Sequence, residues 1–104
     1  MTSAVTAASP GNGARVLVVE DEAHIADGLR FNLEEEGYLV ELAADGRAAI
    51  ERISDAEAPR LDLVILDLML PGMSGYAVCE ALRARDRDLP VMILSARTLS
   101  LIHI

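Results

Sequence analysis

The sequence predicts an open α/β fold of three layers, in which a parallel sheet with strand order 2-1-3-4 carries helices on both faces. Strand-like and helix-like segments alternate from Arg15 to Ser95, and such alternation implies crossover connections and parallel strands. Two segments, Val16-Leu17-Val18-Val19 and Leu63-Val64-Ile65-Leu66, are continuously apolar rather than alternating, which marks strands covered on both faces. Both end in acid: Glu20-Asp21-Glu22 follows the first and Asp67 the second.

The first strand runs from Arg15 to Glu20. A helix follows from about Glu22 to Glu36, with Ile25, Leu29 and Leu33 as its inner stripe. Acidic residues at its start complement the helix dipole, and Gly37 is placed to stop it. The second strand, Tyr38 to Ala43, carries Glu41 and suits a sheet edge. Asp45 can cap a helix to about Ser54 that buries Ala49, Ile50 and Ile53. A loop from Asp55 to Arg60 contains Pro59 and leads to the third strand, Leu61 to Asp67. Ser74 can cap a third helix to about Arg85, with Tyr76, Val78, Cys79 and Leu82 turned wholly or partly inward. Pro90 opens the fourth strand, which ends at Ser95. The two most apolar strands, first and third, belong side by side at the centre. The winding reverses between them, so a crevice opens at their carboxyl ends. Neighbouring strands lie about 4.8 Å apart, and this sets Asp21 and Asp67 facing each other across the gap.

The 104 residues suffice for one small domain, and a 52% hydrophobic share supplies a core despite one Phe, two Tyr and no Trp. A net charge of −8 argues against binding to phosphate backbones. All nine basic residues are arginines. The single cysteine, Cys79, excludes an internal disulfide and fits a reducing compartment; its spacing makes it a small core residue. No segment has the length of a membrane span, and the N-terminus lacks a basic-then-apolar signal. A soluble, cytoplasmic protein without membrane association is expected. Met1 to Ala14, small and polar, reads as a disordered leader.

Carboxylates gathered at two neighbouring strand ends repel one another, and burial sharpens the cost, so a proton or a cation must enter. Oxygen ligands on a rigid rim suit a hard divalent ion, most naturally Mg²⁺. With the cation in place a phosphate can approach, and a carboxylate oxygen can accept the phosphoryl group as an aspartyl-phosphate. Ser95, at the end of the adjacent fourth strand, is placed to offer its hydroxyl to a phosphoryl oxygen. The plainer alternative has Glu20 to Glu22 serving a helix N-terminus and Asp67 capping a turn. Two acidic strand ends at one switch point favour the functional reading. His24, one helical turn away, reads as a surface residue rather than a ligand.

Taken together, Val16 to Glu22, Leu63 to Gly75 and Val91 to Arg97 resemble the receiver domain of bacterial two-component response regulators. The segment Leu70-Pro71-Gly72-Met73-Ser74-Gly75 is most similar to regulators of the winged-helix transcription-factor class. The resemblance runs from Arg15 to about Thr98 and implies a flavodoxin-like fold with Asp67 as phosphoacceptor for a sensor histidine kinase. It implies further that Asp21 and Asp67 ligate Mg²⁺ directly, Glu20 through water and Met69 through its backbone carbonyl. Ser95 would be the hydroxyl switch residue and Ala96 the small neighbour that admits the phosphoryl group, while Pro71 and Gly75 would shape the loop. The chain would act as a phosphorylation-dependent switch rather than an enzyme. The intact protein would form a homodimer and reach DNA only through a C-terminal domain.

Receiver domains contain five strand-helix units, whereas three units and a fourth strand are legible here. The fifth strand and last two helices are therefore expected to be missing, together with the family's fifth-strand Lys and aromatic switch residue. The fourth strand is then expected to be an exposed edge. Leu99-Ser100-Leu101-Ile102-His103-Ile104 matches the translation of a transposase mosaic-end adapter, so residues 99–104 are expected to be a non-native tail behind a partial receiver domain at 15–98. Two other readings remain: an inert or non-phosphorylatable receiver fragment, and a phosphatase of the haloacid-dehalogenase type. The latter needs a second Asp two residues after its nucleophile, where this chain has Met69.

Overall fold

The computed structural model describes residues 12–70 and 72–94 in full and residues 101–103 through their backbone. The elements are β1 (Arg15–Val19), α1 (Ala23–Glu35), β2 (Leu39–Ala43), α2 (Gly46–Ser54), β3 (Leu63–Asp67), α3 (Gly75–Arg85), β4 (Val91–Leu94) and β5 (Leu101–His103). They build one sheet of order β2-β1-β3-β4-β5. The first four strands are mutually parallel, so the 2-1-3-4 order predicted from the sequence is the order observed.

The exposed edge expected at β4 is not found. β5 runs antiparallel beside it, with Leu101 opposite Leu94 and His103 opposite Met92. An unpaired strand edge is a row of free donors and acceptors, and an apolar segment that returns to it can satisfy them. Only residues 95–100 separate the two strands, too few for the helical crossover of about a dozen residues that a parallel partner requires.

Local chemistry explains the helix boundaries. The Asp45 side chain accepts the Ala48 N–H at 2.8 Å, and the Ser74 hydroxyl accepts the Ala77 N–H at 3.1 Å, which satisfies donors that the first turn of a helix leaves free. Helix α1 ends in a reciprocal pair, with the Gly37 N–H donating to Glu34 and the Tyr38 N–H to Leu33. That closure needs a left-handed residue, and Gly37 supplies it at φ +97°. The start of α1 has no side-chain cap.

Helices α2 and α3 cover one face of the sheet, where Ala49, Val78, Cys79 and Leu82 meet Leu17, Val19, Val64 and Leu66. Helix α1 covers the other, with Leu29 and Leu33 against Val16, Val18 and Ile65. Two predicted inner residues point elsewhere. Ile25 is 43% exposed, and the inner row of α1 is Ala26, Leu29 and Leu33. Steps of four alone drift about 40° around a helix each time, whereas a three-then-four spacing holds one line. Tyr76 is 64% exposed, next to the buried Gly75. Cys79 is buried and free, as its spacing predicts. Among the described residues no helix is long and apolar enough to cross a membrane.

Candidate functional site

The site grows out of the β1–β3 register. Val19 lies opposite Leu66, and one more residue along each strand brings Glu20 level with Asp67. Asp21 is one position further along the exit from β1 and faces Asp67 as the sequence predicts. Carboxylate oxygens of Glu20, Asp21 and Asp67 all lie within 4.8 Å of one another. Glu20 and Asp67 are the buried members, each 5% exposed, and Asp21 faces solvent.

Backbone donors orient the two buried carboxylates. The Glu22 N–H donates to Glu20 Oε2 at 3.0 Å, and the Met69 N–H donates to Asp67 Oδ1 at 3.1 Å. The Glu20 backbone is itself held, its N–H donating to the Ala43 carbonyl at 3.0 Å. Burial pushes the Glu20 carboxyl above its ordinary range; the Glu22 N–H partly offsets this, and the charges of Asp67 and Asp21 add to it. Three acidic groups in one recess, one of them reluctant to ionise, form a donor set that a hard divalent cation would relieve. The residues thus fit Mg²⁺ on chemical grounds.

The loop after Asp67 is tied down by glycine. Gly72 takes a left-handed backbone at φ +79°. A Cβ on Gly75 would stand 2.8 Å from the Leu68 Cα and 3.2 Å from the Asp67 carbonyl oxygen, so only glycine lets the start of α3 close onto the strand end. The Met69 side chain is exposed; its observed contribution is the N–H bond to Asp67. Ser95, Ala96 and Pro71 lie outside the described residues. His24 is exposed and does not belong to the acidic cluster. Sequence reasoning missed Ala43 and Glu22, which act through backbone atoms and so leave no mark in side-chain chemistry. A separate cleft on α3, lined by Tyr76, Cys79, Glu80, Arg83, Ala84 and Arg87, shares no residue with the acidic recess.

An acidic recess at the carboxyl edge of an open parallel sheet, where the winding reverses, defines a switch-point binding domain of the doubly wound class. The comparisons narrow that class. Residues 16–101 match the response regulator receiver domain, and the chain belongs to that family. It is 50% identical over 82 residues to the sensory transduction protein RegX3 of Mycobacterium tuberculosis, covering 79% of this chain and 34% of the relative. It is 45% identical over 83 residues to the response regulator MprA of Mycolicibacterium vanbaalenii, covering 80% of this chain and 35% of the relative. The chain thus spans about a third of the length of the curated relatives it matches. Among solved structures it is similar to the response regulator protein TrrA of Thermotoga maritima in complex with Mg²⁺-BeF, at 37% identity and a TM-score of 0.74 over 80% of this chain and 70% of that one. A CheY-like receiver domain protein of Methanospirillum hungatei matches with a TM-score of 0.75 at 28% identity, over 80% of this chain and 64% of that one.

Proposed function

We propose that this domain is a phosphorylation switch in which Asp67 accepts a phosphoryl group from a sensor histidine kinase. The observation that carries the reading is the convergence of Glu20, Asp21 and Asp67 within 4.8 Å at the ends of two central strands. An Asp67 carboxylate oxygen would attack phosphorus as the P–N bond of a phosphohistidine breaks, the electron pair leaving with the imidazole nitrogen. The backbone hydrogen bond from Met69 fixes the carboxylate before the phosphoryl group arrives, so little orientation is left to be done during transfer.

Asp21 and Asp67 would hold Mg²⁺ directly, Glu20 through water and Met69 through its carbonyl, and the complex of the similar TrrA with Mg²⁺-BeF supports that choice of ion. When bound, the ion would neutralise the recess and the charge on the phosphoryl oxygens. Ser95 and Ala96, which follow β4 in the sequence, would complete the site as hydroxyl switch and access residue. In the intact cytoplasmic protein the switched surface would govern a homodimer and, through it, a DNA-binding domain. The relatives named above, a response regulator and a sensory transduction protein, support the signalling role.

Incubation with acetyl phosphate and Mg²⁺ tests the reading by intact-mass spectrometry. One phosphoryl adduct that Asp67→Asn abolishes is the expected result. Sustained phosphate release would favour the phosphatase, and no adduct would leave an inert domain.

A linked effect on stability has a definite sign. The folded pKa of Glu20 is raised, so its contribution is favourable below the ordinary Glu range and is lost as pH rises through the raised value. The ion-free domain therefore carries an electrostatic cost at neutral pH that Mg²⁺ should remove. At ten times its Kd, Mg²⁺ should add about 1.4 kcal/mol of stability at pH 7 and far less where Glu20 is protonated. Urea unfolding with and without the ion reads both values.

A further inference from the structure

The β2–α2 junction, Ala43 to Gly46, contributes no side chain to the acidic cluster, yet it touches the backbone of Glu20 and the helix that follows Asp67. On one side the Ala43 carbonyl accepts the Glu20 N–H at 3.0 Å. On the other, Gly46 is buried against Val78 of α3 and Met73. A Cβ on Gly46 would stand 2.6 Å from Val78 Cγ2 and 3.1 Å from Met73 Sδ. Only Ala44 and Asp45 lie between these contacts, and Asp45 is fixed by its cap bond to the Ala48 N–H.

Gly46 is not among the positive-φ glycines, Gly13, Gly37 and Gly72. Its backbone is ordinary helix that any residue can adopt. The demand for glycine is therefore steric: a methyl group here would meet Val78 Cγ2 of α3 at 2.6 Å, whereas the flexible Met73 thioether at 3.1 Å can turn aside. Three residues before Val78, at the start of α3, Gly75 closes on Leu68 and on the Asp67 carbonyl. A displacement of α3 at Val78 is thus passed to the strand end that carries the reactive carboxylate.

We propose that Ala43–Gly46 is a positioning brace that sets the separation between the Glu20 wall and the Asp67 loop, with Gly46 as its contact point. The proposal rests on the Mg²⁺ reading given above. Metal affinity depends on the spacing of the carboxylates, so a residue with no ligand atom controls it through the position of α3.

Titration of the full chain with Mg²⁺ at neutral pH tests this. Gly46→Ala should raise the Kd severalfold. Adding Val78→Ala, which removes the obstructing Cγ2, should restore most of the affinity even though the double variant is less stable than the parent. If Gly46→Ala lowers Tm while the folded protein keeps the parental Kd, glycine is needed for packing alone and the brace is overturned. If Gly46→Ala does not fold, Val78→Ile crowds the same contact from the α3 side; a weaker Kd supports the brace and an unchanged one overturns it. A parent chain that binds no Mg²⁺ overturns the metal reading and the brace with it. A parent that binds while its variants match it overturns the brace alone.

Discussion

The two faces of the sheet are built from the same kinds of residue but covered unequally. On the α2–α3 face Leu17, Val19, Val64, Leu66 and Val91 are all at most 1% exposed. On the α1 face Val16, Val18 and Ile65 are buried, while Leu63, Met92 and Leu94 remain only partly so. Strand β4 displays the contrast within four residues, alternating buried Val91 and Ile93 with half-covered Met92 and Leu94. An ion cluster adds to the first face: Glu41 on β2 accepts from Arg52 of α2 at 2.6 Å and from Arg15 of β1 at 3.1 Å. Apolar character is thus nearly equal on the two sides, and the difference in burial follows from how many helices close over each.

Leucines on opposite faces of the sheet should respond differently to truncation. Leu66→Ala should cost about 3 kcal/mol because it opens a cavity in a closed core, whereas Leu94→Ala should cost about 1 kcal/mol because part of that side chain is already in water. Equal losses in urea unfolding would show that the faces are energetically alike. The ion cluster comes next. Arg52 and Arg15 hold the Glu41 carboxyl below its ordinary range, against a smaller opposing effect of burial. A depressed folded pKa contributes stability above the unfolded value, about 4.3, and loses it as pH falls through the folded one. Glu41→Gln should therefore cost about 1 kcal/mol at pH 7, allowing for partial exposure. The gap from the parent should close as the parent is acidified below pH 4; a gap independent of pH would assign the loss to packing. The smallest effect belongs to Ile25. At 43% exposed it lies off the inner row, so Ile25→Ser should change stability by under about 0.5 kcal/mol. A loss of core size would restore Ile25 to the inner stripe.

Much of the architecture was legible before the structure. Asp45 and Ser74 cap the helices they were predicted to cap, and Gly37 ends α1, because capping is decided within a few residues of chain. The continuous apolar segments marked β1 and β3 as central strands for an equally local reason. What escaped was phase and neighbourhood. The α1 stripe was read one residue out because Ile25 and Ala26 both satisfy a coarse helical spacing, and only contact with β1 and β3 chooses between them. Asp21 does face Asp67, as the strand spacing predicts, but strand register is not written in either strand alone, and extending the Val19–Leu66 pairing by one residue brings Glu20 level with Asp67. The partner for the β4 edge was missed because Leu101–His103 has no periodicity long enough to announce a strand.

The amino-acid order alone determined the alternation of strand and helix, the two strands that must leave water on both sides, and the acids at their exits. These follow from side-chain period and backbone preference, which act over a few residues. Tertiary structure decided which carboxylate lies level with Asp67, how deeply Glu20 is withdrawn from solvent, and which face of the sheet is closed more completely. Those outcomes depend on desolvation and spacing between segments remote in the chain, and such quantities exist only once the strands have been brought side by side.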